Sequence, residues 1–175
     1  YTSNGGSNSV SVIDVANGQF VKAIQVPGRP EAITTNKAGD EVWVGSNSNA
    51  VVTVINPDDE SVIAQWAGFD WPYRILLTDD ERYAVVPDLN NNNLRFFDAR
   101  SKVELGVLDL PGSMPEGVTL YADDRTLFLS LAGQDRVMLI DIESRQILGD
   151  YDTGSVPDGI AFSPLELRKT IDYQQ

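Results

Sequence analysis

The sequence of 175 residues contains no cysteine and no histidine. Without cysteine there is no disulfide, no thiolate nucleophile, no zinc–thiolate site and no iron–sulfur ligation. Without histidine the chain lacks the commonest metal ligand and the commonest general base. These absences remove the main classes of catalytic and metal site from this sequence. They leave the compartment undecided, because a cysteine-free protein suits oxidising and reducing surroundings equally.

Positive charge is also scarce, with 13 basic against 26 acidic residues and a net charge of −13. Phosphate backbones and anionic lipid surfaces bind through lysine and arginine, so we expect neither nucleic acid nor an anionic membrane as a partner. No apolar run approaches the roughly 18 residues that span a bilayer, so we expect no membrane insertion. The hydrophobic content of 42% is that of an ordinary globular protein.

What the sequence does contain is one six-residue pattern written four times. Each copy carries apolar residues at alternating or adjacent positions and closes on Asp or Asn: Ser9–Asp14, Val51–Asn56, Asn93–Asp98 and Arg136–Asp141. The closing residues are 42, 42 and 43 positions apart. A fixed period of this size is typical of a repeat architecture. We expect the closing Asx side chains to cap the turns that follow them, a role that Asn56 fills as well as an aspartate.

A second series has the same period and opens short apolar segments: Pro30, Pro72, Pro115 and Pro157. Proline is tolerated at the first residue of a strand, where its missing N–H is not needed by the ladder. With two further apolar segments per repeat, each period holds four short strands separated by Asn-, Asp- and Gly-rich turns. Four-stranded units of 40–45 residues are typical of propeller blades. The sequence therefore predicts an all-β protein, a beta-propeller built from four-stranded antiparallel blades of about 42 residues.

The register divides the predicted propeller, residues 1–164, into five parts. These are a partial blade at 1–26, blades at 30–67, 72–110 and 115–152, and the innermost strand of a next or closing blade at 157–163. The tail at 165–175 fits a frayed strand, a short helix or a segment unrelated to the blades. We interpret the chain as a partial propeller, about four blades of a larger ring, with ring completion by two chains and four-bladed closure as alternatives. Because an open arc exposes apolar blade faces, we expect self-association or missing blades that complete the ring.

Three stretches, Tyr1–Asn4, Ser9–Asp14 and Gly28–Ile33, resemble the YVTN family of beta-propeller repeats. The fourth repeat, residues 131–141, is also similar to the beta-propeller proteins associated with PQQ-dependent catabolism. The resemblance covers essentially residues 1 to 165. It implies a propeller that normally has seven blades and an extracytoplasmic location, periplasmic or on the cell surface. Asn56 in place of the closing aspartate and Arg74 in place of a small residue depart from the family pattern.

Arg74 is the sharpest individual candidate for binding. Its counterparts in the other repeats are small: Ala32, Gly117 and Gly159. In a propeller this position lies near the mouth of the central channel, where a guanidinium suits a carboxylate or phosphate of a ligand or partner. The alternative is that Arg74 pairs with a neighbouring Asp or Glu of this acidic chain, which need have no functional role.

Trp71 and Tyr73 flank Pro72 in the same loop. Aromatic side chains beside an arginine form a typical binding surface. The alternative is that Trp71 packs between blades, as we expect of Trp43 and Trp66. Arg29 and Glu31 occupy the matching loop of the preceding repeat and are weaker candidates.

The remaining polar motifs predict no chemistry. The pairs Asp58-Asp59, Asp79-Asp80 and Asp123-Asp124 fall at turns, where aspartate is favoured, and the Asn90–Asn93 run needs no Ca²⁺. We predict no catalytic residue, no metal and no cofactor. The predicted function is a non-catalytic scaffold that binds a protein partner or a small anionic ligand on its loop face. This face is formed by the loops that precede the innermost strands and those that join the second and third strands of the blades. The alternative is a fragment or accessory subunit of an extracytoplasmic redox enzyme (quinone or amine dehydrogenase-like) or of a lactonase-like propeller enzyme.

Overall fold

The computed structural model of the chain describes residues 1–165 and is built of β-strands joined by turns. Residues 166–175, which hold all of the predicted tail except Leu165, lie outside the described residues. In the described stretch no helix is long and apolar enough to cross a membrane.

Four antiparallel sheets follow one another along the chain, each with its strands in sequence order. Blade 1 has three strands, β1 (Thr2–Asn4), β2 (Ser9–Asp14) and β3 (Gln19–Gln25). Blade 2 comprises β4 (Pro30–Thr35), β5 (Val42–Ser46), β6 (Val51–Ile55) and β7 (Val62–Trp66). Blade 3 comprises β8 (Leu76–Leu77), β9 (Tyr83–Asp88), β10 (Asn93–Asp98) and β11 (Glu104–Asp109). Blade 4 comprises β12 (Pro115–Leu120), β13 (Thr126–Leu131), β14 (Arg136–Asp141) and β15 (Gln146–Asp152). The predicted fold class, four blades of a partial propeller, is confirmed.

The core lies between the blades, because successive residues of a strand face opposite sides of its sheet. On β10, Phe97 belongs to the apolar cluster shared with blade 2, and its neighbour Phe96 belongs to the cluster shared with blade 4. Between blades 2 and 3, Trp43 stacks on Trp66 with ring centroids 5.4 Å apart, and Trp66 lies 4.7 Å from Phe97. A third cluster around Val10 joins blades 1 and 2. Blades 2 and 3 thus bury both faces against neighbours, and blades 1 and 4 bury one face each.

The Asx residues that close the third strands cap the following turns, as the repeat pattern predicts. Asp98 accepts hydrogen bonds from the backbone N–H groups of the turn that follows it, and Asn56 accepts one from the N–H of Asp58 at 2.8 Å. Asp141 has an additional partner, the guanidinium of Arg125. That hydrogen bond, with the N–H of Ser144, lowers the pKa of Asp141 to about 2. The four copies therefore share a structural role.

The first hairpin turn of each of blades 2 and 3 is closed by a side chain from the next blade. Glu81 of blade 3 accepts a hydrogen bond from the backbone N–H of Lys37 in blade 2. Asp124 of blade 4 accepts two, from the N–H groups of Asp79 at 2.6 Å and Asp80 at 2.9 Å. Glu81 and Asp124 occupy the same turn position, and both have a positive φ, 55° and 53°. We call these interblade hydrogen bonds the turn clamp. In both cases the side chain comes from the blade that follows the clamped turn in the sequence.

Every inner strand is interrupted just after its proline. Pro30 pairs with Ser46, Pro72 with Asp88 and Pro115 with Leu131, and the regular ladder resumes only three or four residues later. A bulge of this kind frees the intervening side chains from strict alternation. The residues freed include Glu31, Tyr73, Arg74 and Glu116, which all belong to the candidate functional site.

The innermost strand predicted at 157–163 is not a strand in the structure. The segment does lie beside β12, since a Cβ at Gly117 would collide with the carbonyl oxygen of Asp158 and Phe162 packs against Tyr121 at 5.0 Å. A strand needs a hydrogen-bonded neighbour. The segment therefore lies beside β12, in the position of an inner strand, without a ladder among the described residues.

Candidate functional site

The loop Phe69–Trp71, which joins blades 2 and 3, is held by a buried carboxylate. Asp88, at the end of β9, is 0% exposed. It accepts hydrogen bonds from the backbone N–H of Asp70 at 3.0 Å, the N–H of Trp71 at 2.8 Å and the side-chain amide of Asn91 at 2.7 Å. Buried charges of this kind need such partners, because desolvation is costly. Asp88 thereby fixes the backbone that carries Trp71.

A second buried polar residue supports the same loop from below. Arg95 on β10 pairs with both carboxylate oxygens of Glu104 at 2.9 Å and donates to the carbonyl of Ala67 at 3.0 Å. Its guanidinium lies 3.8 Å from the centroid of the Phe69 ring. The counterparts of Arg95 in blades 2 and 4 are Thr53 and Met138. The support is therefore specific to blade 3.

Neither Asp88 nor Arg95 was predicted from the sequence as part of a site. The available signal was positional: the counterparts of Asp88 are Ser46 and Leu131, so a carboxylate ends a strand that is otherwise apolar. A charged residue inside the repeat pattern at a core position is unusual, because such residues are rarely fully buried unless paired.

Three of the predicted site residues meet in one place, together with Asn47. The indole Nε1 of Trp71 donates to Oε2 of Glu31 at 3.2 Å, and Nδ2 of Asn47 donates to the same oxygen at 2.6 Å. The guanidinium of Arg29 lies 5.2 Å from the centroid of the Trp71 ring. We call Arg29, Glu31, Asn47 and Trp71 the indole–carboxylate cluster. Trp71 is half-buried here and outside the interblade clusters that contain Trp43 and Trp66.

The other two predicted residues, Tyr73 and Arg74, form a second group with Glu116 and Asp158. The Tyr73 hydroxyl donates to Asp158 at 3.2 Å, and the Arg74 guanidinium lies 4.2 Å from the centroid of the Tyr73 ring. Arg74 also donates to the carbonyl of Tyr73 and approaches Asp158 at 3.9 Å. The side chain of Arg74 remains 42% exposed. The ion pair between Arg74 and Asp158 is therefore long, and the guanidinium is in contact with solvent as well as with the carboxylate. We call Tyr73, Arg74, Glu116 and Asp158 the arginine–acid cluster.

Two groups in the arginine–acid cluster have raised pKa values. Burial raises the pKa of Glu116, and the nearby charge of Asp158 and a hydrogen bond with it raise it further. Burial, followed by the charges of Glu116 and Asp158, raises the pKa of Tyr73. Two acids with one arginine leave the cluster with an acidic balance, which is better suited to a hydrogen-bonding or cationic group than to a free anion.

Replacing Glu116 by glutamine tests this electrostatic description. A carboxyl whose folded pKa is raised contributes stability below its ordinary value of 4.5, and this is lost as pH rises through the folded pKa. Glu116→Gln should therefore raise the melting temperature at pH 7 by about 1–3 °C, since 1 kcal/mol corresponds to roughly 2–4 °C for a chain of this size. The gain should vanish near pH 4. Thermal unfolding at both pH values, with exposed Asp109→Asn as control, measures it; a gain independent of pH would contradict the description.

The paired aspartates of the turns and the asparagine run at Asn90–Asn93 form hydrogen bonds that stabilise turns and loops. Asp59, Asp80 and Asp123 accept backbone hydrogen bonds within their own turns. Asn92 accepts the N–H of Met114 at 2.9 Å. Between residues 1 and 165 no group of three or more acidic side chains is placed to hold a metal ion.

Comparison with known proteins identifies the fold and no family. No protein-family model matches the sequence, and comparison with curated proteins gives no match. Among solved structures, hydrazine synthase of Kuenenia stuttgartiensis is similar with a TM-score of 0.77 and 21% identity, over 85% of this chain and 44% of that one. Virginiamycin B lyase of Staphylococcus aureus gives a TM-score of 0.74 and 19% identity, over 89% of this chain and 53% of that one. Dihydro-heme d1 dehydrogenase NirN, solved in complex with DHE, gives a TM-score of 0.70 and 18% identity, over 85% of this chain and 34% of that one.

These likenesses establish a β-propeller and nothing of its chemistry, since all three identities are below a quarter. The chain spans about half the length of the first structures that it matches.

Proposed function

We propose that the chain is a non-catalytic binding scaffold that presents its loop face to a protein partner. The observation that carries the proposal is the Phe69–Trp71 loop, held by buried Asp88 and Arg95. Burying charged groups is a poor way to gain stability, because desolvation offsets much of the pairing energy. It is a good way to fix a loop, and pre-organised loops bind with less entropic cost.

The residues on this loop face are of the types that dominate protein interfaces. Tryptophan, tyrosine and arginine are enriched among the residues that contribute most to binding. Trp71, Tyr73 and Arg74 are consecutive except for Pro72 and are each partly exposed. A protein partner is favoured over a small anionic ligand, because Glu31, Glu116 and Asp158 would repel a free anion.

Two further parts of the proposal concern the assembly and its location. Both ends of the arc expose large apolar side chains, with Phe20 on blade 1 and Tyr151 on blade 4 each 64% exposed. We propose that further blades, in the same polypeptide or a second copy, cover these ends; sedimentation of the 175-residue chain as a compact monomer would contradict this. We also propose an extracytoplasmic location, which rests on the YVTN resemblance alone and which cell fractionation tests.

Arg74→Ala is expected to weaken partner binding without lowering stability. The side chain is partly exposed and its ion pair is long, so its loss should change the melting temperature by less than about 2 °C. Peptides selected from a random displayed library on the wild-type chain provide the binding readout. They should bind Arg74→Ala at least about tenfold more weakly, as for a residue worth 1.4 kcal/mol or more.

The matched control is Arg100→Ala, an exposed arginine on a turn of the opposite face. Selected peptides should bind it as they bind the wild type. Equal binding to both variants, or a selection that yields no peptide, would contradict a binding role for the loop face; a large loss of melting temperature in Arg74→Ala would make Arg74 structural.

The second candidate is a part of a redox or lactonase-like propeller enzyme. One observation favours it, the carboxyl pair Glu116 and Asp158, since a carboxyl with a raised pKa is what a general acid requires. Hydrolysis of a panel of lactones that Glu116→Gln abolishes would support this candidate over the scaffold; absence of turnover across the panel would weigh against it.

A further inference from the structure

The indole–carboxylate cluster has hydrogen-bond acceptors without donors. Both bonds to Glu31 reach Oε2, and no hydrogen bond within residues 1–165 reaches Oε1. Asn47 is 9% exposed, and its Oδ1 has no hydrogen-bond partner in the same stretch, although its Nδ2 is bonded to Glu31. The Asn47 oxygen is sealed from solvent, whereas Glu31 is exposed, so its Oε1 is the acceptor that a bound donor can reach.

The face of the Trp71 indole also belongs to the indole–carboxylate cluster. An indole face attracts cations within about 6 Å of its centroid. The Nε1–H of Trp71 is already used by Glu31, so the ring offers its π-face and no donor. A carboxylate oxygen and an aromatic face together suit a cationic, donor-rich group, and they disfavour an anion.

The chain itself places such a group over the ring. The guanidinium of Arg29 lies 5.2 Å from the Trp71 centroid, yet no ion pair within residues 1–165 includes Arg29. Its backbone is fixed: the N–H donates to Asn8 at 2.9 Å, the carbonyl accepts from Asn47, and φ is 54°. The backbone is therefore held while the exposed side chain is held only by stacking, so the side chain is free to leave.

We propose that this cluster is a subsite for a lysine or arginine side chain of the protein partner, and that Arg29 occupies it until the partner binds. The inference rests on the proposed function and names the chemistry of the partner. The charge of −13 on the chain favours the same partner, because opposite charge speeds and orients association. A metal ion is a poorer occupant, since the cluster has a single carboxylate.

The test uses three synthetic peptides of alternating residues, arginine–glycine, lysine–glycine and glutamate–glycine, with the 175-residue chain. The readout is the indole N–H resonance of each tryptophan, with Trp71 assigned from a Trp71→Phe variant. Both basic peptides should shift Trp71 and leave Trp43 and Trp66 unchanged, and the acidic peptide should shift none. Glu31→Gln should weaken the basic peptides at least tenfold, while Asp109→Asn, which removes a charge at an exposed strand end, should leave them within twofold.

Arg29 provides a second, independent arm. Arg29→Ala should bind the basic peptides several-fold more tightly, because the internal occupant is gone, and Arg100→Ala should not. Equal gains in these two variants, or equal losses in Glu31→Gln and Asp109→Asn, would mean unspecific charge attraction and would overturn the proposal. Weaker binding by Arg29→Ala would also overturn it.

The peptide selection separates this inference from the proposed function. Selected peptides that depend on Arg74 yet contain no lysine or arginine, and that bind Glu31→Gln normally, would overturn the cationic subsite and leave the scaffold intact. A selection without any loop-face-dependent peptide would overturn the scaffold itself.

Discussion

Asp88→Ala is expected to lower the free energy of unfolding by about 2–4 kcal/mol, because it removes a fully buried carboxylate and leaves three partly buried donors without their acceptor. The affected groups are the backbone N–H of Asp70, the N–H of Trp71 and the amide of Asn91. Urea unfolding at pH 7 measures the loss. Asp88→Asn keeps one acceptor oxygen and the size of the side chain, so it should lose less than Asp88→Ala.

The same variant should disturb the loop face. Because Trp71 is positioned by its own N–H bond to Asp88, its indole resonance should move in Asp88→Ala while those of Trp43 and Trp66 stay in place. A matched control is Ser46→Ala at the corresponding position of blade 2, whose hydroxyl is buried and has no hydrogen-bond partner within residues 1–165. Unfolding curves that coincide for Asp88→Ala and the wild type would show that the loop does not depend on this carboxylate.

Phe97→Ala should have the largest effect of a single core substitution, about 3–5 kcal/mol. The ring is 0% exposed and lies against Trp66 and Phe69, with centroid distances of 4.7 Å and 6.4 Å, so its removal leaves a cavity between blades 2 and 3. Phe96→Ala is the natural comparison. That ring is equally buried, on the same strand, and belongs to the interface between blades 3 and 4.

The two variants should differ in where exchange of backbone amides increases. Phe97→Ala should raise exchange across β5 and β6 of blade 2, and Phe96→Ala across β13 and β14 of blade 4. Native-state hydrogen exchange distinguishes them, since local opening follows the interface that has been weakened. The same protected amides responding to both variants would contradict two separate interblade cores.

The fold was predictable because its determinants are local and repeated four times. Strand alternation, the prolines and the closing Asx residues all recur at one period, and tertiary packing reinforces that pattern. At 157–163, where the same period predicts an inner strand, the described structure has no strand. The period marks where a strand belongs, but a ladder also needs a partner strand, and sequence position alone does not supply one.

The site was only partly predictable. Arg74 could be chosen because it departs from its counterparts in the other repeats, and Trp71 because it is an aromatic residue in the same loop. Their surroundings could not, because Glu31 meets Trp71 across two blades and Asp158 reaches Tyr73 over 85 positions of sequence. The roles of Asp88 and Arg95 depend on which backbone groups of the neighbouring loop point toward them, and this follows from three-dimensional packing.

The turn clamp formed by Glu81 and Asp124 has a consequence for folding during synthesis on the ribosome. Each of these side chains closes a turn that was synthesised about 40 residues earlier. During synthesis, the first turns of blades 2 and 3 can therefore be closed only after the first turn of the next blade has emerged. A chain that ends before Asp124 would leave the first turn of blade 3 without its clamp.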